Sequence, residues 1–399
     1  YNGFFRWNHT PSPRTVYILA GSYVFLRRNS YSGSQMDPNA YGFTRNPLFT
    51  SDFLFSHQQG RHTLTTGLQL QRDHIRDSAP AYDRLWHLTF RNLGFYFQDE
   101  YQPASWLILV GGLRVDKHSE LADPVLSPRA NLRLRLAQNW NLRAGITTGF
   151  RAPVIFEEDL HITQVGGEGF VIENSPELKE ERSLSYTLAL DYVRQVRNLP
   201  FQLGVNLYYT GLEDVHVLEE VPVPGSDYRH YLRVNRKGSY LRGFEFDLDW
   251  RLTTALWLRG GAAFESARYR EPEPDFGSLK YFRTPGAYGF LSLLANLPRG
   301  WDLYTDLDFT GRMWVPHYAG FIPEDRLERS KPFHVWNLKI SKKLHNPWSE
   351  AGEVKLFFGV DNLLDDYQPD LDQGRLRDAG YVYGPGRMRS FYTGLRVSF

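Results

Sequence analysis

The sequence predicts an all-β fold, an antiparallel transmembrane β-barrel of about 17 strands, and three observations carry that reading. Apolar residues recur at every second position in runs of about nine residues or more, longer than typical globular strands and close to the 9 to 11 that a tilted strand needs to cross a bilayer. The links between these runs alternate between short and long, as in outer-membrane barrels with tight turns on one side and loops on the other. No segment approaches the roughly 18 consecutive apolar residues of a transmembrane helix.

Strands are expected at about 3–8, 14–28, 46–57, 61–75, 84–101, 104–117, 127–138, 140–151, 182–197, 200–217, 238–252, 254–268, 283–297, 300–313, 331–345, 353–364 and 387–399. The alternation is plain in Leu132, Leu134 and Leu136 against Arg133 and Arg135, and in Leu142, Ala144 and Ile146 against Asn141, Arg143 and Gly145. It returns in Phe201, Leu203, Val205 and Leu207, and in Phe244, Phe246, Leu248, Trp250 and Leu252, the latter interleaved with Glu245, Asp247, Asp249 and Arg251. Trp301, Leu303, Leu307 and Phe309 against Asp302, Asp306 and Asp308 repeat it, as do Val354, Leu356, Phe358 and Val360. The last run, Phe391 to Phe399, has Phe, Thr, Leu, Val and Phe at odd positions. One face is apolar and the other polar throughout, which places lipid on one side of each strand and water on the other.

Short links fall at 9–13, 58–60, 102–103, Asn139, 198–199, Thr253, 298–299 and 346–352, whereas 152–181, 218–237, 269–282, 314–330 and 365–386 are long. Trp106, Trp140, Trp257 and Trp301 each follow a short turn within a few residues, where an amphipathic ring suits the membrane–water boundary. The alternative for these four is ordinary core tryptophan, and the alternative for the chain is a large soluble propeller or sandwich, for which no blade-like repeat is visible. Single-chain barrels have even strand numbers, so about 17 cannot close alone. Because the first link is short, the first strand runs towards the periplasm, and an odd number of strands is expected before Tyr1.

Composition narrows the classes further. Lys plus Arg number 46 against 45 Asp plus Glu, a net charge of +1, which argues against nucleic acid as a partner. The mean hydropathy of −0.46 is polar, as a half-wet barrel must be. There is no cysteine, so disulfides, thiolate metal sites and a cysteine nucleophile are excluded. The chain opens Tyr1-Asn2-Gly3 with neither an initiator Met nor a signal-peptide pattern, and its natural start is expected elsewhere. None of the motifs G-x-S-x-G, H-E-x-x-H or G-x-x-x-x-G-K-S/T occurs, and the chain is expected not to be an enzyme.

Specific residues then resemble a family. Gly149-Phe150-Arg151-Ala152-Pro153 resembles the FRAP box of TonB-dependent outer-membrane receptors, and Asn174 to Ser183 resembles the NPxLxPExS segment that follows it. Gly359 to Tyr367, with Asn362 and Leu363, is similar to the penultimate-strand motif, and Phe399 matches the terminal aromatic presented to the barrel assembly machinery. The segments Glu158 to Ile162 and Val165 to Glu168 are similar to a Bacteroidetes-type subgroup. The resemblance implies a barrel of about 22 strands, so residues 1–399 are expected to be an incomplete receptor barrel. About five strands and the globular plug would lie upstream, and the plug would bring the contact with TonB-ExbB-ExbD. It also implies a multi-pass barrel in the outer membrane of a Gram-negative bacterium, with a surface lipoprotein as a further partner.

The function so implied is binding and TonB-dependent uptake of a scarce metal chelate, a siderophore or a corrinoid such as cobalamin. A haem receptor is the alternative, and a passive or structural barrel is the alternative from another class. Binding residues of barrels concentrate on long loops, which makes Tyr228, His230, Tyr231, Trp314, His317, Tyr318, Tyr381 and Tyr383 the candidates, since aromatics and histidine suit a planar or chelated ligand. Each is also the kind of residue any large barrel carries in its loops. His161 is the haem candidate: it lies between the FRAP-like and NPxL-like boxes, where haem receptors carry an iron-ligating histidine. No resident cofactor is expected. The carboxylates from Asp365 to Asp372 offer Ca²⁺ several hard oxygens but lack EF-hand spacing, and solvated loop charge is the competing reading.

Overall fold

A computed structural model describes residues 1–31, 38–82, 84–155, 170–225, 229–344 and 352–398. Its strands are β1 (Asn2–Ser12), β2 (Thr15–Tyr31), β3 (Tyr41–Gln59), β4 (His62–Ala79), β5 (Arg84–Ala104), β6 (Leu107–His118), β7 (Val125–Ala137), β8 (Trp140–Arg151), β9 (Phe170–Asn174), β10 (Glu181–Val196) and β11 (Leu199–Glu213). They continue with β12 (Val215–Glu220), β13 (Arg229–Arg236), β14 (Ser239–Arg251), β15 (Leu256–Tyr269), β16 (Ala287–Leu297), β17 (Trp301–Thr310), β18 (Trp314–His317), β19 (Arg326–Arg329), β20 (Phe333–Leu344), β21 (Glu353–Asp361) and β22 (Ser390–Ser398). Seventeen of them share one hydrogen-bonded sheet, and these are the 17 long strands expected from the sequence. The other five are short, pair only among themselves in loops, and were not foreseen.

Several strand ends differ from expectation by three to five residues, and two of the differences have a clear local reason. The first link is shorter than residues 9–13, because β1 continues to Ser12 and Ser12 pairs with Thr15 across a tight turn. The stretch 200–217 is not one strand: Asp214 takes a left-handed φ of 53°, which ends β11 and turns the chain into β12 on a different, three-stranded sheet. The turn at Arg197 and Asn198 has positive φ at both residues, 53° and 60°, the twist that a two-residue hairpin requires.

The chain divides into two compact units. Unit 1 comprises Tyr1–Leu134, Ala144–Tyr186 and Thr210–Ser239, and unit 2 comprises Arg135–Arg143, Thr187–Tyr209 and Tyr240–Phe399. In unit 1, β1 to β7 form successive antiparallel hairpins. One face of this ladder is polar and cross-linked: Gln69 Nε2 donates to Asp52 at 3.3 Å, Arg114 donates to Gln69 at 2.7 Å and to Asp116 at 2.6 Å, and Asn92 donates to Asp116 at 2.8 Å. The opposite face carries Leu19, Phe49, Phe53, Leu68, Leu70, Leu93 and Phe95, all exposed. An exposed apolar face opposite a hydrogen-bonded polar one is the lipid-facing arrangement of a barrel wall.

In unit 2, β15, β16, β17, β20, β21 and β22 are likewise consecutive antiparallel neighbours. Alternating direction puts the long links 270–286, 311–332 and 362–389 at one end, and the short turn 298–300 and the paired residues Leu344 and Val354 at the other. Trp106, Trp140, Trp257 and Trp301 are between 37% and 53% exposed, which fits a boundary girdle and not a packed core. Among the described residues no helix is long and apolar enough to cross a membrane. What core there is consists of small clusters beneath the loops, of which Met313, Val315, Tyr381 and Tyr383 form one.

Candidate functional site

The best-built loop assembly belongs to unit 2. After β17 the chain forms the hairpin β18–β19, in which Trp314 faces Arg329 and His317 faces Arg326. Pro316 supports the extended run, and Gly320, with φ 145°, turns the tip where a side chain would strike the Leu376 backbone. The link before β22 packs against this hairpin through Tyr381 and Tyr383, joining Met313 and Val315 in a dry cluster.

His317 is the hub. Its Nδ1 lies 2.7 Å from Glu328 Oε1, and its Nε2 lies 3.0 Å from both carboxylate oxygens of Asp372. The imidazole is 3% exposed and its stacked partner Tyr381 is 2% exposed. Burial by itself lowers a histidine pKa, but the hydrogen bonds to Glu328 and Asp372 outweigh it, and the imidazole is held above its ordinary value. Burial would raise the Glu328 carboxyl, yet hydrogen bonds from His317, Arg326 and Tyr381 bring it below its usual range. Tyr381 OH donates to Glu328 and Asp370, and Tyr383 OH donates to Asp370 at 2.6 Å. Burial first, then the facing carboxylates, push both phenols upward, so they remain donors at any physiological pH.

Above this buried frame lies an aromatic surface. Tyr318 is 43% exposed and its ring centroid is 5.7 Å from that of Phe276, which meets Phe282 edge-on at 5.6 Å. Tyr318 N donates to Asp378, whose own N–H donates to Asp372, so the exposed ring is tied to the buried hub. Trp314 is half-buried, with Lys280 Nζ 5.0 Å from its ring, and its carbonyl accepts from Arg283 N at 2.7 Å. Within the same unit a groove of about 520 Å³ on the polar face of the sheet is lined by Asp249, Arg259, Tyr304, Asp306 and Asp308 among others.

The acidic stretch after β21 is engaged in loop construction. Asp365 accepts from Arg389 N, Asp366 from His334 N, and Asp370 and Asp372 serve the hub. Among the described residues no group of three or more His, Cys, Asp or Glu converges as a cation site. Asn362, 2% exposed with φ 51°, turns the chain out of β21. Its Nδ2 donates to the carbonyls of Asp366 and Arg387, its Oδ1 accepts from Asp366 N, and Leu363 N reaches Trp336 O.

In unit 1 the FRAP-like box anchors the longest loop. Phe150 and Ala152 pack with Leu121 and Val125, Arg151 pairs with Glu181 at 3.4 Å, and Asn174 Nδ2 donates to the Pro153 and Val154 carbonyls. β13 runs antiparallel to β12 and parallel to β9, placing His230 beside Val171 and Tyr231 beside Ile172. Tyr231 meets Phe170 edge-on at 6.3 Å, and both candidates are half-buried. His161, Tyr228 and Phe399 lie outside the described residues.

Five candidates, Trp314, His317, Tyr318, Tyr381 and Tyr383, therefore gather in one assembly, but only Tyr318 faces solvent freely. Sequence reasoning missed Glu328, Gln368 and Phe276. Neither Glu328 nor Gln368, which clamps Tyr381 O and Tyr383 N, carried a sequence signal.

The family model for "TonB dependent receptor-like, beta-barrel" matches residues 1–363. An iron-regulated outer membrane virulence protein of Vibrio cholerae serotype O1 is 30% identical over 134 residues, covering 33% of this chain and 20% of that protein. Among solved structures, a mutant ferric enterobactin receptor PfeA of Pseudomonas aeruginosa superposes with a TM-score of 0.76 at 17% identity, covering 99% of this chain and 61% of that one. The FrpB iron transporter of Neisseria meningitidis gives 0.72 at 14% identity, covering 99% and 62%. The chain thus spans less than two thirds of the length of these three proteins.

Proposed function

This chain belongs to the TonB-dependent receptor β-barrel family of the bacterial outer membrane, and from that premise we propose that it captures a ferric siderophore at its outer loops and forms the wall along which the chelate passes. The observation that carries the reading is the Tyr318–Phe276 surface fixed on the buried His317 hub. An aromatic cluster with its rings tilted 56° and 89° to one another offers both ring faces and edges to the planar rings of an iron chelate, and a prearranged site loses less on binding than a loose one. The polar groove with Arg259 and Tyr304 suits onward passage of a hydrated, charged complex. The names of similar proteins support iron as the cargo: ferric enterobactin for PfeA and a siderophore for PirA of Acinetobacter baumannii. Energy would come through TonB by way of a plug domain, and this chain would act as receptor and conduit without catalysis.

The test uses the receptor expressed from its complete reading frame. Ferric enterobactin, haem and cyanocobalamin are titrated into wild type and the double variant Tyr318→Ala/Phe276→Ala, following tryptophan fluorescence. Saturable ferric-siderophore binding that weakens by about tenfold or more, as loss of a central aromatic anchor implies, is the expected result. Haem or corrinoid binding without siderophore binding would overturn it. Iron uptake that persists without TonB would favour the passive barrel.

A further inference from the structure

The apolar face of unit 1 ends, towards Tyr31 at the end of β2 and Ala79 at the end of β4, in an uninterrupted set of basic side chains. Register places Arg27 directly opposite Arg45, Arg45 opposite Arg76, and Arg76 opposite His87, a single row across β2, β3, β4 and β5. Four residues nearer the apolar band, Arg72 stands opposite Arg91. An even spacing keeps both tiers on one face, about 13 Å apart along the strand, with neighbours in a row about 5 Å apart. That face is the lipid-facing one, because Leu68 and Leu70 precede Arg72 at alternate positions and Leu93 and Phe95 follow Arg91 in the same way.

Like charges directly opposite across strands destabilise a sheet, so the arrangement calls for a compensating anion. Among the described residues none of the five arginines forms an ion pair. The side-chain contacts they make are with rings: Arg27 and Arg45 both lie over the Phe43 ring, at 5.3 and 4.8 Å, and Arg76 Nε reaches His74 Nε2 at 3.0 Å. The acids of these strands stand on the opposite face or at the far end. Asp77 pairs with Arg84 and Asp116 with Arg114 on the polar face, while Asp99 pairs with His62 at the far end of the strands. Glu120, on the loop after β6, accepts from Ser119 Oγ.

We propose that this double basic row binds the phosphate groups of a phosphorylated lipid in the outer leaflet, whose acyl chains lie on the apolar band below. Short turns mark the periplasmic side, so the row lies at the outer headgroup level. Arginine there offers planar, bidentate donors matched to phosphate. Basic clusters flanking an apolar surface recognise anionic lipid in this way. The inference needs only the outer-membrane location and holds whatever the loops transport.

The test compares the complete receptor, wild type, with Arg72→Gln/Arg91→Gln, Arg45→Gln/Arg76→Gln and the corresponding lysine variants. Each is presented in phosphatidylcholine nanodiscs doped with bisphosphorylated lipid A or with its dephosphorylated form, and bound lipid is counted by native mass spectrometry. Wild type retains the phosphorylated form only, each glutamine pair weakens retention by roughly 30-fold, and lysine restores most of it. Unchanged heat-modifiable migration certifies folding in every variant. Equal retention of both lipids, or glutamine variants that behave as wild type, overturns the proposal. Displacement by millimolar inorganic phosphate with no lipid retained also overturns it, leaving a free-anion site.

Discussion

The imidazole of His317 lies face to face on the ring of Tyr381, with centroids 3.7 Å apart and planes 7° from parallel, although 64 positions separate them in the chain. Two long loops of unit 2 are thereby locked at one buried contact, flanked by Glu328 and Asp372.

His317→Ala should free these loops while leaving the barrel intact. It removes the partner of an Asp372 side chain that is 1% exposed, and breaking a buried pair costs roughly 3–5 kcal/mol. Amide exchange over residues 311–332 and 362–389 should accelerate at least a hundredfold, with unchanged exchange in β20 and β21.

The lock should have a pH window with two edges. The His317 pKa is raised above 6.5, so its contribution is complete below that value and is lost as pH rises through the raised folded pKa. The Glu328 pKa is lowered below 4.5, so its contribution is complete above that value and is lost as pH falls through the lowered one. Loop protection should therefore be greatest between about 4.5 and 6.5. Amide exchange corrected for its intrinsic pH dependence measures this, and a flat profile would refute it.

Asn362 holds a left-handed turn with both its backbone and its side chain. Asn362→Gly keeps the φ of 51° at no steric cost but loses three hydrogen bonds, whereas Asn362→Ala loses both. Alanine should be the worse variant by about 1–2 kcal/mol. The yield of heat-modifiable barrel in membranes gives the ranking.

Gly67 leaves room for the Tyr96 ring, and a methyl group there would meet both that ring and the Phe53 carbonyl oxygen. Gly67→Ala should cost about 1–3 kcal/mol through overpacking. The midpoint of thermal unfolding in detergent should fall, and Gly67→Ala combined with Tyr96→Phe should not restore it, because the carbonyl remains.

The long strands were legible because each must present an apolar side chain to lipid at every second position over a fixed thickness, and that constraint is written locally. The short strands β9, β12, β13, β18 and β19 answer to no such constraint. Leu218 is exposed and Val215 is buried only because of the neighbours β12 happens to meet. The aromatic residues of the loops were likewise visible as types. Whether Tyr381 faces a ligand or a histidine depends on partners more than fifty residues away, and composition does not carry that information. That the four tryptophans after short turns are exposed was readable, because each follows a turn at the end of a strand.

The parallel join between β9 and β13 sets an order in time. Antiparallel neighbours linked by two-residue turns can zip from the turn outward, each hairpin finishing almost as soon as it emerges. β9 and β13 cannot, since their partners lie 59 residues apart and the intervening hairpin of β10 and β11 must be in place before Asn174 can meet Arg233. That sheet should therefore be the last part of its unit to close. A lesion there should lengthen the lifetime of a nearly finished receptor on the assembly machinery, and be read in a pulse-chase rather than in the strength of the completed barrel.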